Sequence, residues 1–189
     1  LGCTACHTTD DPTLVNRTAP LLGQVGGRLR PDHLLKFVSA ANETKTGTAM
    51  PDLFHGANEN EKTKQTEAIA SYLLSMGRLI DRSGDSAAAK RGEESFHAIG
   101  CAACHAPRRG DLGLDATSVP LGDLTAKYSL DSLSRFLANP HAVRPSGLMP
   151  KLVNDMNEAR DIACYLLGES IIVPGAEQFQ AKVYFGSWD

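Results

Sequence analysis

The chain holds a single tryptophan, Trp188, and aromatic residues make up only 6% of its 189 residues. No run of 18 apolar residues occurs, so no segment is predicted to span a membrane as a helix. Nothing in the sequence reads as a secretory signal. The formal charge is −3 and no basic cluster stands out, which excludes the electrostatic footprint of a nucleic-acid-binding protein. The acidic excess falls wholly after residue 84; it either separates the partners of the two halves or only marks a solvated face. Strand-helix-strand patterning is absent, so a thioredoxin-like redox domain is not expected. What remains is ordinary globular composition, 42% apolar and 22% charged, in a length that suits two small domains.

Cysteine is scarce as well, five in all, but four of the five are concentrated. Cys3-Thr4-Ala5-Cys6-His7 opens the chain and Cys101-Ala102-Ala103-Cys104-His105 lies just past its middle. Cys-x-x-Cys-His is the attachment signature of a c-type haem. Two cysteines three apart share one face of a helical turn, so both sulfurs reach the two vinyl groups of one porphyrin. The histidine that follows then offers a ring nitrogen to the iron. Zinc would need further ligands at set spacing, and no second Cys-x-x-Cys or histidine pair lies near either motif. Disulfide bridging of the two pairs is the other competing reading.

A second signal accompanies each motif. Met50-Pro51-Asp52-Leu53 lies 43 residues after His7, and Met149-Pro150-Lys151-Leu152 lies 44 after His105. A lone methionine is normally core filler. One that recurs at nearly the same distance, each time before proline and with leucine at the third place after it, reads as an iron ligand. A thioether opposite histidine favours ferrous iron and raises the reduction potential. Iron so capped has no open position for substrate and passes single electrons.

The two halves are copies. Leu22-Gly23 matches Leu121-Gly122 at an offset of 99, and Asp32, Leu34, Phe37 and Met50 match Asp131, Leu133, Phe136 and Met149 at the same offset. Ile69-Ala70-Ser71-Tyr72-Leu73-Leu74 matches Ile162-Ala163-Cys164-Tyr165-Leu166-Leu167 at 93. A repeat of this length means two domains and not a solenoid.

These features resemble the class I c-type cytochromes, in a tandem two-haem form, over roughly residues 1–170. The resemblance implies an all-α fold of two small helical domains, each wrapped round one covalently bound haem c: residues 1–82, then 83–170, with 171–189 as a tail or the start of a further domain. It implies His7 and His105 as proximal ligands and Met50 and Met149 as distal ones. It also implies a proline carbonyl that accepts the other N–H of each proximal histidine, for which Pro20 and Pro120 are the candidates; those two prolines are out of register by one residue relative to the Leu-Gly match. Tyr72 and Tyr165 match the position where an aromatic on the final helix packs near the haem. Arg28 aligns with Lys127, where a cation either neutralises a propionate or is a plain surface charge. Such proteins receive haem outside the bacterial cytoplasm, so a periplasmic or exported location is implied, with the export signal outside the sequence given.

Helices are expected over Ser86–Ile99, leading into the second motif, and over Pro31–Ala40, Leu130–Ala138, Glu61–Met76 and Asn157–Leu167. Pro31 suits a first helical position, Ser129 an N-cap, Asn139-Pro140 a stop, and Gly77 and Gly168 C-terminal ends. The helix ahead of the second motif has no counterpart ahead of the first, so an upstream helix is expected to complete that domain. The stretch from Ile171 to Asp189 resembles the opening of a protective-antigen-type β-sandwich, or packs back as a tail.

Other candidates are discounted. Cys164, aligned with Ser71, reads as a small core residue. His55 is an alternative ligand to Met50. His33, His97 and His141 read as surface residues, and Met76 and Met156 as packing. The expected function is electron transfer between redox partner proteins, without enzymatic activity. The alternatives are a two-haem peroxidase of the bacterial type and an electron-delivery module of a larger enzyme.

Overall fold

The reasons for the helices lie in their first turns. The computed structural model describes residues 2–7, 19–23, 25–80, 86–105, 119 and 121–168, and among these there is no strand. Helix α1, Pro31–Ser39, opens on a proline that lacks only an N–H the helix would leave unpaired, with Asp32 against the positive end of the dipole. After the single residue Ala40 comes a short helix, α2, Ala41–Thr44. Helix α3, Glu59–Ser75, is started by Asn58, whose side chain accepts from the Glu61 N–H. Helix α4 covers Ser86–Ala98 and the one-turn α5 covers Leu124–Lys127. Helix α6, Leu130–Ala138, carries the predicted Ser129 cap as a full capping box with Ser132. Asn139 ends α6 and at once caps α7, Pro140–Val143. Helix α8, Met156–Leu167, starts from Asp155 and stops at Gly168, whose φ of 75° favours glycine.

The described residues fall into two compact units. In the first, α1 packs across α3, and a 3₁₀ turn at Val25–Gly27 lies against α3 so closely that any Cβ on Gly26 would collide with the Leu74 carbonyl. The core is Val25, Leu34, Val38, Phe54, Leu73 and Leu74, with Leu22, Leu29, Leu53, Ile69 and Met76 packed around it. On α1 the inward residues are four apart (Leu34, Val38), and on α3 they run Thr66, Ala70, Leu73, Leu74; both are one-face helical spacing.

In the second unit α4 and α8 make the most extensive contact, and α6 packs on α8 as well. Gly92 is where α4 crosses α8, with no room for a Cβ against the carbonyl of Asp161. On α8 the buried set includes Ala159, Ile162, Ala163, Leu166 and Leu167. Phe96, 1% exposed, fills the space beyond the crossing and meets the Tyr165 ring at 5.6 Å.

The duplication is visible in the backbone. Ala40 (φ −149°, ψ 75°) and Asn139 (φ −152°, ψ 79°), 99 residues apart, make the same joint between a nine-residue helix and a four-residue one. Phe54 and Val153, at the same offset, are both buried just beyond the methionines.

One expectation holds and one changes. α3 stops just ahead of Gly77, with the Met76 N–H bonded to the Leu73 carbonyl, and Gly77 follows without a positive φ. Met156 is 51% exposed at the first position of α8 and does not pack, whereas Met76 does. The stretch 171–189 lies outside the described residues.

Candidate functional site

Each Cys-x-x-Cys-His segment folds as one 3₁₀ turn, Cys3–Ala5 and Cys101–Ala103. A glycine with positive φ stands before each, Gly2 at 68° and Gly100 at 95°. No atom crowds a Cβ at either place, so the requirement is backbone conformation and not space. The bonds then repeat: Cys6 N–H to Cys3 at 3.2 Å and His7 N–H to Cys3 at 2.9 Å, against Cys104 N–H to Cys101 at 3.2 Å and His105 N–H to Cys101 at 3.0 Å. A 3₁₀ helix has three residues per turn, so positions i and i+3 eclipse. The second cysteine of each pair follows directly on the turn as its C-cap, with nearly the same φ in both copies, −116° at Cys6 and −118° at Cys104.

None of the five cysteines is in a disulfide, so neither pair is spent in a bridge. Within each pair one is more sheltered: Cys3 is half-buried and Cys6 exposed, Cys101 buried and Cys104 exposed. Burial pushes the Cys101 thiol above its ordinary pKa, a backbone hydrogen bond at Cys101 opposes this, and the Glu158 carboxylate adds to the rise.

His105 is held by a reciprocal clamp. The Val119 N–H donates to the Cys104 carbonyl at 2.7 Å, and the Val119 carbonyl lies 3.0 Å from His105 Nδ1. A carbonyl only accepts, so Nδ1–H is the donor, and the tautomer this bond selects leaves Nε2 as the nitrogen that could bind a metal. That is the tautomer a metal requires, fixed from behind by the protein. The expected acceptor was a proline carbonyl; at His105 the carbonyl found is that of Val119, the residue before Pro120, and Pro120 itself lies outside the described residues. The physical reason is that a carbonyl acceptor can come from any residue type. Val119 is also the position matching Pro20 at the offset of 99, so the register of the repeat held the signal that residue type hid. Pro20 itself is exposed.

Met50 and Met149 are both half-buried in irregular backbone. Each follows a matching turn: Thr48 N–H bonds to the Lys45 carbonyl at 3.2 Å, and Gly147 N–H to the Arg144 carbonyl at 2.9 Å. After the first methionine, Asp52 accepts from the Phe54 N–H at 2.9 Å and turns the chain toward α3. Leu148, beside Met149, is 99% exposed.

The other named residues divide. Tyr165 packs on Phe96, but Tyr72 is 67% exposed; among the described residues no helix crosses α3 as α4 crosses α8. The Arg28 guanidinium donates to the Leu21 carbonyl, while its aligned partner Lys127 lies over the Tyr128 ring at 4.8 Å. Cys164 is 1% exposed inside α8, a core residue as expected. His55 is exposed on a turn. His33 stacks on Phe37 at 6.2 Å. His141, read from sequence as a plain surface residue, lies 3.1 Å through Nε2 from the Gly147 carbonyl. Its signal was invisible in the repeat, because its counterpart is Asn42.

Each copy thus supplies two free thiols, an imidazole and a thioether, and in the second copy the Nδ1 side of the imidazole is held by a carbonyl, which leaves Nε2 to bind. That donor set fits a porphyrin joined through its vinyl groups. Among the described residues no three His, Cys, Asp or Glu side chains converge as a metal-binding cluster, and no helix is long and apolar enough to cross a membrane. Compared with protein-family models, with curated proteins and with solved structures, the chain matches none of them.

Proposed function

We propose that this chain is an electron-transfer module with two covalently attached haems c, acting in an exported bacterial protein between redox partner proteins. Cys3, Cys6, His7 and Met50 would hold one haem, and Cys101, Cys104, His105 and Met149 the other. Bound there, haem supplies one-electron iron chemistry. The single observation that carries the reading is the His105 clamp: a ring held by the Val119 carbonyl at 3.0 Å, directly after a turn that carries two free thiols. With Nδ1 so engaged, Nε2 is the ring nitrogen left to meet iron. The protein's part would be to orient the ring of His105 and to offer the paired thiols and the methionine thioethers as the groups that hold haem.

The test is the exported, haem-loaded protein. Expected are haem that stays on the denatured chain, two one-electron steps in a redox titration, and the weak near-infrared band of thioether-ligated ferric iron. Ready binding of carbon monoxide at both reduced centres would overturn the His/Met assignment. Turnover of hydrogen peroxide with a reduced donor at enzymatic rates would instead establish a peroxidase.

A further inference from the structure

The two copies secure their methionine segments with different side chains. In the first unit Thr48 Oγ1 accepts from the backbone N–H of Met50 itself at 3.3 Å. In the second unit the position matching Thr48 is Gly147, which has no side chain to offer. There the His141 ring takes over: its Nε2 donates to the Gly147 carbonyl at 3.1 Å, two residues before Met149. His141 stands on α7, whose start is fixed by Pro140, buried, and by the Asn139 cap. Arg144, whose carbonyl closes the turn with the Gly147 N–H, lies over the Phe136 ring at 5.5 Å and ties the same turn to α6. The Gly147 peptide is therefore held at both its N–H and its carbonyl. In the first unit the residue matching His141 is Asn42, exposed on α2, and the segment is held from within by Thr48 instead. Loss of a hydroxyl at one position and exchange of an amide for a ring at another occur in the same copy, and each bears on the same three-residue segment.

We infer that His141 is a positioning residue for Met149, and that Thr48 performs the same service for Met50. The inference rests on the haem reading above. With haem bound, each latch would restrict its methionine arm, so loosening a latch would raise the fraction of arms away from the iron and let an outside ligand compete. Because the latches differ, each can be removed without touching the other.

The experiment uses the full haem-loaded chain and free imidazole as the competing ligand. Hyperfine-shifted methyl resonances of the two ligand methionines report each iron separately, assigned from Met50→His and Met149→His variants. In His141→Ala, imidazole should displace Met149 at about fivefold lower concentration, the worth of one ordinary hydrogen bond, with Met50 unchanged. His141→Gln, which keeps an N–H donor, should restore the original affinity. Thr48→Val should show the mirror pattern. His141 is exposed, so its variants are expected to fold, and circular dichroism checks this. Equal weakening at both irons, no change at either, or failure of glutamine to rescue would overturn the latch. Absence of thioether-bound haem on the unaltered chain would sink the haem reading, and the latch with it, before any variant was made.

Discussion

At the scale of single residues, the sequence displays candidate ligand groups more openly than what supports them. Cys3, Cys6, Cys101, Cys104, His7 and His105 stand out because groups that form bonds to a haem would need fixed residue types at fixed spacing. Val119 is not, because what it contributes is a backbone carbonyl, present at every position and selected only by where the chain passes. The same limit hid Thr48 and His141, which serve one copy each and so leave no trace in the repeat. The two thiols of the second motif also differ in a way that spacing does not show. Cys101 is buried and its pKa raised chiefly by desolvation, while Cys104 is exposed. In haem-free protein an alkylating reagent should therefore label Cys104 first, with Cys101 lagging by at least several-fold, as peptide mass mapping at short times will show. The raised pKa also sets a pH trend. A neutral Cys101 favours the folded state below the ordinary thiol pKa, where both states keep the proton. Above it the unfolded chain loses its proton first, so stability should decline until pH passes the raised value. A denaturant midpoint in haem-free protein that falls across this alkaline window, and falls less in Cys101→Ser, checks the sign.

At the scale of elements, helix positions were readable wherever an apolar stripe coincided with a cap. Leu130–Ala138 is found with its predicted ends, since Ser129, Leu130, Leu133 and Leu137 all point to one answer. The short helices Ala41–Thr44, Leu124–Lys127 and Pro140–Val143 went unseen because four residues carry no periodicity. Pro140 was read as a stop and is both a stop and a start: its fixed φ forbids continuing α6 yet suits the first position of α7. Tyr72 and Tyr165 match the same position of the resemblance, yet Tyr165 packs on Phe96 while Tyr72 is exposed, because that contact belongs to a pair of helices and only α8 has such a partner among the described residues. The α4–α8 crossing gives a graded prediction. Gly92→Ala should cost the second unit about 1–3 kcal/mol or more, because the added methyl meets backbone that cannot rotate away. Ser129→Ala, which removes half of a buried capping box, should cost about 1 kcal/mol. Arg91→Ala, which breaks a two-pronged but largely exposed ion pair with Asp161 at 2.6 and 2.8 Å, should cost under about 1 kcal/mol. Denaturant titrations of the three variants in one buffer test the order, and an Arg91 effect larger than that of Gly92 would contradict the crossing as the main source of stability.

At the scale of the whole molecule, duplication is what allows each half to serve as the other's control. The first unit has its own cluster around Val25, Phe54 and Leu73, and the second its own around Phe96, Ile162 and Leu133. Neither is large, and domains of this size retain little net stability from apolar burial alone. A covalently held porphyrin would add apolar area to each, so replacing all four motif cysteines by serine is expected to leave a chain that unfolds at much lower denaturant and with a broader transition. Replacing one methionine should act on one site only. On the proposed ligation, Met149→Ala would leave the second iron without its sulfur and open, while the first would keep histidine and methionine. The reduced variant should then bind about one equivalent of carbon monoxide per chain, and one of the two redox steps should move to lower potential while the other stays in place. Met50→Ala should move the other step. If either variant shifts both steps together, or if both irons take up carbon monoxide, the methionines are not separate ligands of separate centres, and the symmetry of the repeat would have to be explained by packing alone.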